Sequence, residues 1–194
     1  MIATDVKYRV RIEHDPDCES PAECDHTWRP YSFSTRHVNY REPTQFFDER
    51  RGPKLWLRNK LRVGLAFPLS YHEHGLGLWF IRGTKWTPDA LWDTVDLAGL
   101  LIWEDQPSDI GGKTVAERQK DAAAFLEEYS DWCNGNCHGY AIEGADGNTV
   151  DSCCGFIGDY IAQAVRQALP DDATQDNTSV TGDGAYLVEG HLWD

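Results

Sequence analysis

Basic residues are what this sequence of 194 residues most lacks, and the shortage is local. Residues 86–194 contain four lysines and arginines against 21 aspartates and glutamates, with no basic residue between positions 89 and 112, whereas residues 1–85 carry 14 against 11. The formal net charge is −14. A field of that sign repels phosphate backbones from the second half of the chain and draws in basic surfaces, so direct nucleic-acid binding is not expected of that half. Long apolar runs are missing too: none approaches the roughly 18 residues that cross a bilayer. The first five residues lack the basic and then apolar run of a signal peptide. The expected location is the cytoplasm, with no membrane partner. The chain has no P-loop, no dinucleotide glycine fingerprint, no Gly-x-Ser-x-Gly elbow and no His-Glu-x-x-His, which removes the enzyme classes that those motifs carry.

What is present supports a packed core. Hydrophobic residues make up 41% of the chain, with eight Trp, eight Tyr and seven Phe, enough to offset a mean hydropathy of −0.55. The order of elements predicts an α+β fold: a single domain over residues 1–170 with a mixed or antiparallel central sheet and two to three helices packed on it. Tyr8, Val10 and Ile12 alternate with charged residues, the period of a strand with one wet face. Residues 14–30, rich in Asp, Glu, Pro and Cys, read as a surface loop. Residues 36–62 form a basic segment in which Arg50, Arg51, Lys54, Arg58, Lys60 and Arg62 surround Leu55, Trp56, Leu57 and Leu61, with a helix from about Pro53. The apolar runs 76–81 and 97–103 suit central strands buried on both faces.

Thr114-Val115-Ala116-Glu117 is a capping box, in which hydroxyl and carboxylate satisfy each other's exposed backbone donors. It starts a helix over 115–132 whose inner stripe is Val115, Arg118, Ala122, Phe125, Leu126, Tyr129 and Trp132. Segments 139–143 and 148–153 flank Asp146-Gly147 as a hairpin. Residues 157–169 are a second helix stopped by Pro170, residues 171–184 a flexible linker, and residues 185–194 an apolar tail that docks as an edge strand.

The outer stripe of the 115–132 helix carries Glu117, Asp121, Glu127, Glu128 and Asp131. The last three crowd the end that favours cations, and a stripe that breaks a local rule is a candidate docking surface for a basic partner. Upstream stand Asp89, Asp93, Asp96, Glu104, Asp105 and Asp109. Regular carboxylates can imitate the phosphates of a duplex, which lie about 1.7 Å apart along its axis.

Two further chemistries fit the residue types. Cys18, Cys24 and His26, with Cys133, Cys137 and His138, supply enough soft ligands for zinc, although neither half has the tight Cys-x2-Cys spacing. Free thiols are the alternative, and no cofactor is required for folding. A cysteine- or metal-dependent hydrolase would use Cys153 as nucleophile with His74 and Asp93, the thiolate needing a base beside it. A nucleic-acid contact along Arg50 to Arg62 is a third reading.

Several stretches resemble a family of small acidic bacteriophage and mobile-element proteins: Ser70 to Gly75, Trp92-Asp93-Thr94-Val95, Gly139-Tyr140-Ala141-Ile142-Glu143 and Asp151-Ser152-Cys153-Cys154-Gly155-Phe156. The residue after the first cysteine of the last motif is commonly Trp in that family, so Cys154 departs from it. The resemblance implies a phage context. With the charge asymmetry it leads to the expectation of an acidic inhibitor, of anti-CRISPR or antirestriction type and a candidate DNA mimic. Its partner would be a host protein with a basic nucleic-acid-binding surface.

Overall fold

The computed structural model describes residues 6–84, 93–189 and 191–193. The chain divides into two compact units, one made of residues 1–19 with 131–194 and the other of residues 20–130. Each has its own sheet and core, and the α+β class is the one the sequence predicts.

The first unit is a mixed four-stranded sheet in the order β10-β1-β8-β9. Strand β1 (Tyr8–His14) pairs antiparallel with β8 (Cys137–Gly144) and parallel with β10 (Thr178–Thr181). Antiparallel β9 (Thr149–Ile157) follows β8 through a hairpin whose turn uses Gly147 at φ +77°. Alternation sends Val10 and Ile12 inward with Tyr140 and Ile142, where they meet Ile161 and Val165 of α3 (Tyr160–Ala168) and Leu187 and Val188 of α4 (Tyr186–Glu189). Val10, Ile12, Ile142, Ile161, Val165 and Val188 are completely buried. Each such aliphatic side chain is worth roughly 1.5–3 kcal/mol of transfer free energy.

Three sequence expectations change here. The segment read as a linker over 171–184 contains β10, because Thr178, Ser179, Val180 and Thr181 align with Tyr8 to Arg11 and gain ladder bonds that composition does not reveal. The tail over 185–194 docks as a short helix rather than an edge strand, burying Leu187, Val188 and Leu192. Ile157 closes β9, so the second helix begins at Tyr160.

The second unit holds the antiparallel sheet β2-β7-β5-β6, formed by β2 (Trp28–Ser32), β5 (Ala66–His74), β6 (Leu76–Ile81) and β7 (Thr94–Trp103). A two-stranded ribbon joins β3 (Phe47–Asp48) to β4 (Gly52–Pro53). Strand β7 is internal, as its apolar run predicts, but β6 is an edge strand, and its first residues, Leu76 and Leu78, are exposed. Helix α1 (Leu55–Val63) covers one face through Leu57, which packs with Phe46, Ala66, Leu100 and Ile102.

Helix α2 (Val115–Cys133) serves the other face: Ser130 Oγ accepts the Trp79 backbone N–H at 2.9 Å, and Asp121 accepts the Trp28 indole N–H at 2.8 Å. Its buried stripe is Ala122, Phe125, Leu126, Tyr129 and Ser130. Val115, expected inside, is exposed. Arg118 reaches back instead to the carbonyls of Gly112 and Val63.

The capping box forms as its sequence predicts. Thr114 N–H donates to Glu117 Oε2 at 2.8 Å, and Glu117 N–H donates to Thr114 Oγ1 at 3.2 Å. The donated backbone bonds from Thr114 and Lys113 hold the Glu117 carboxyl below its usual range. Replacing Thr114 with Ala leaves the Glu117 N–H without its cap and is expected to cost about 1 kcal/mol, read as a lower urea midpoint with an unchanged m-value.

Candidate functional site

The face of the first unit's sheet opposite its core is polar and shaped. Arg11 stands across from Ala141, and Ala141 from Ser152; Glu13 stands across from Gly139. The middle strand thus offers a glycine and an alanine where its neighbours offer longer side chains. The result is a trough along β8 of about 350 Å³, lined also by Asp15, Cys153 and Cys154.

A β-bulge sets one wall. His138 pairs with Phe156 and Tyr140 with Cys153, so β9 has an extra residue opposite Gly139. Gly155 absorbs it at φ +85°, and its freed N–H donates to Asp15 Oδ2 at 2.9 Å. Bulges re-aim side chains, and this one brings Cys154 over the floor. A methyl group on Gly139 would stand 3.1 Å from Cys154 Cβ. Arg11 Nε lies 3.3 Å from Glu13 Oε1, both side chains more than half exposed, a pair worth little to stability. Behind the floor, buried Tyr140 donates to Asp151 at 2.8 Å. Burial, with that bond, pushes its phenol up to about 12.

On the core side of the sheet, near Ile12 and Gly184, His138 is buried and its Nδ1 has no partner among the described residues. The His14 ring meets it edge-on at 6.2 Å, and His14 N–H donates to Asp183 at 3.0 Å. Burial holds the His138 imidazole below its ordinary range, His14 acting in the same direction and Asp183 against it.

The predicted hydrolase residues divide between the units. His74 Nδ1 and Asp93 Oδ2 are 2.9 Å apart in the second unit. Cys153 belongs to the first, where its exposed thiol donates to the Cys154 carbonyl at 3.7 Å.

The six candidate zinc ligands do not converge. Cys18 and Cys137 are hydrogen-bonded, and burial, with that bond, raises the Cys137 thiol to about 12. Cys133 is exposed at a helix end, and Cys24 and His26 belong to the other unit. Cys137 and His138, as consecutive strand residues, point to opposite faces. Among the described residues no group of three or more His, Cys, Asp or Glu is placed to hold a metal ion.

The predicted acidic surfaces are mostly engaged. Asp96 takes a forked bond from Arg82, Nε at 2.8 Å and a terminal nitrogen at 2.6 Å, plus the Ser70 hydroxyl at 3.1 Å. Those bonds, Arg82 first, hold its carboxyl below its usual range. Glu104 accepts the Tyr31 hydroxyl, Asp105 lies close enough to act on Lys60, and Asp109 accepts from Ser108 at 3.0 Å with His26 at 3.7 Å. On α2, Glu117 caps, Asp121 holds Trp28, and Asp131 accepts from Asn136 at 3.3 Å; Glu127 is exposed and Glu128 half-buried. Most carboxylates of the predicted docking surfaces thus accept hydrogen bonds from, or pair with, neighbouring side chains or backbone. Asp89 lies outside the described residues.

Arg11, Glu13, Ser152 and Cys154 were not singled out as site residues by sequence reasoning. The small pair Gly139 and Ala141, two apart in a strand, was the available signal. A scan against protein-family models, a search of curated proteins and a search of solved structures each return no match.

Because the folded pKa of His138 lies below the ordinary imidazole value of about 6.5, the unfolded chain binds the proton more readily. Stability from this group is therefore present above about pH 6.5 and lost as pH falls towards its folded value. His37, lowered by burial and by Arg36, acts in the same sense. The melting midpoint should drop between pH 7 and pH 5, and His138→Gln should reduce that drop. An unchanged drop would assign it to another group.

Proposed function

We propose that this protein is a noncatalytic acidic binding protein whose first unit docks on the basic, nucleic-acid-binding surface of another protein. Its role is that of a phage-encoded inhibitor of host defence or nucleic-acid handling. The observation that carries this reading is how the charge falls between the two units. Residues 1–19 and 131–194 hold 16 carboxylates against four basic side chains, whereas residues 20–130 hold 16 against 14. In the first unit the ion pairs among the described residues are two, Lys7 with Asp172 and Arg11 with Glu13. The second unit's acids are nearly balanced in number by its own cations.

A concentrated unmatched field accelerates encounter with an oppositely charged surface and weakens as salt shortens the Debye length, about 10 Å at 0.1 M and 3 Å at 1 M. The exposed polar face around the trough adds Arg11, Glu13, Asp15 and Ser152 as donors and acceptors for a polar contact.

The test is inhibition of purified restriction and RNA-guided nucleases, with association rates measured against ionic strength. The expected result is inhibition of at least one such enzyme, relieved by excess DNA, with association at least tenfold slower at 0.5 M than at 0.05 M salt. The triple variant Asp17→Asn, Asp159→Asn, Asp176→Asn, at three exposed carboxylates of the first unit, should slow association several-fold, more than Glu127→Gln with Glu128→Gln. Inhibition insensitive to salt, or lost only through the second pair, would contradict the reading.

A further inference from the structure

Four of the six cysteines, Cys24, Cys133, Cys153 and Cys154, are exposed. The two that are not, Cys18 and Cys137, hydrogen-bond to each other through their thiols. That contact joins the end of the N-terminal segment to the start of β8, across more than 100 residues of sequence.

Local structure holds the two cysteines side by side. The pairing of β1 with β8 reaches His14 opposite His138, and the Asp15 N–H continues it by donating to the Cys137 carbonyl at 2.8 Å. Asp15 Oδ1 then accepts the Asp17 N–H at 3.1 Å, which turns the chain. Beyond the turn, the Trp132 indole N–H donates to the Cys18 carbonyl at 3.0 Å and pins it. The members of the pair differ in access. Cys137 is 3% exposed on an internal strand, whereas Cys18 is half-buried in irregular chain, open to a small reagent. Burial and the shared hydrogen bond keep the Cys137 thiol protonated far above neutral pH, so Cys18 is the sulfur that meets a reagent first.

Their place in the chain gives the pair a consequence. The second unit is an insertion that leaves the first after residue 19 and returns to it at residue 131. Cys18 is next to last before the departure, and Cys137 opens β8 soon after the return. A covalent bond between them closes the insertion at its neck and ties β1 to β8 in the register that buries Val10 and Ile12.

We infer that Cys18 and Cys137 form a redox-sensitive clasp, two thiols that join reversibly as a disulfide when the surrounding thiol pool turns oxidising. The co-reactant is a low-molecular-weight disulfide such as oxidised glutathione. The Cys18 thiolate attacks one sulfur of the reagent and breaks its S–S bond, and the released thiolate takes up the proton that Cys18 gave up. Cys137 then displaces the second thiol from Cys18, its own proton passing to that leaving group. One protein dithiol and one reagent disulfide become one protein disulfide and two reagent thiols, with two electrons passing from protein to reagent. Excess thiol drives the exchange backwards. A bond closing so long a loop restricts the unfolded chain more than the folded one, so the oxidised protein is the more stable form. The inference rests on the fold of the first unit and is independent of the proposed function.

The variant Cys24→Ser, Cys133→Ser, Cys153→Ser, Cys154→Ser changes exposed positions alone and keeps the pair. It is treated while folded with oxidised glutathione, then analysed by intact mass and nonreducing peptide mapping. The expected product is the Cys18–Cys137 disulfide, lighter than the dithiol by two hydrogens and carrying no glutathione. Its melting midpoint should stand several degrees above that of the dithiol and fall back on addition of dithiothreitol. Adding Cys18→Ser should abolish both the product and the shift and leave Cys137 unmodified. The unaltered chain, mapped in the same way, should yield the same linked peptide, which guards against a folding defect in the variant. A glutathione adduct that persists on Cys18, a bond that forms only in denaturant, a link from Cys18 to Cys133 in the unaltered chain, or an unchanged midpoint would overturn the inference.

Discussion

Strand β1 is the element on which the first unit depends. Its seven residues, Tyr8–His14, lie between β8 and β10, strands that follow it by more than 120 residues in sequence. Without it the sheet has no centre: Val10 and Ile12, both completely buried, would leave the core that Ile142, Ile161, Val165 and Val188 share. The same pairing makes the unit discontinuous in sequence and makes its formation depend on distant contacts, which are slow to close. It also creates the trough, since Arg11 and Glu13 reach Ala141 and Gly139 only through that register.

The arrangement sorts charge. The basic residues of the sequence's first half fold mostly into the second unit, where Arg36 pairs with Glu73 and Arg82 with Asp96. What joins the C-terminal half to form the first unit is a stretch holding only Lys7, Arg9 and Arg11 as cations. Two regions of opposite character follow, a first unit with 16 acidic to four basic side chains and a cationic helix edge on the other unit. Exposed pairs contribute little to stability, so this sorting bears on encounter and partner choice more than on folding.

Local signals were legible in the sequence and distant ones were not. The alternation of β1, the capping box at Thr114 and Glu117, the Asp146-Gly147 hairpin and the stop at Pro170 each act within a few residues, and each appears where expected. The strand over 178–181 escaped notice because its Thr and Ser composition is that of a linker, and β1 alone makes it a strand. The site was harder. A one-residue slip in a strand exchanges its faces, and the bulge at Gly155 changes which cysteine meets the trough floor, so the sequence points to Cys153 where Cys154 lies over Gly139. The carboxylates of α2 were recognised, but their engagement by Trp28 and Asn136 depends on tertiary contacts that spacing does not encode.

In the proposed function the first unit, rather than the outer face of α2, meets the basic partner. Amide hydrogen exchange of the protein alone and in complex with an inhibited nuclease tests this most directly. Added protection should fall on residues 9–15, 139–143 and 149–155, with the α2 amides around Glu127 and Glu128 unchanged. Protection concentrated on α2, with exchange in β1, β8 and β9 unaltered, would contradict it.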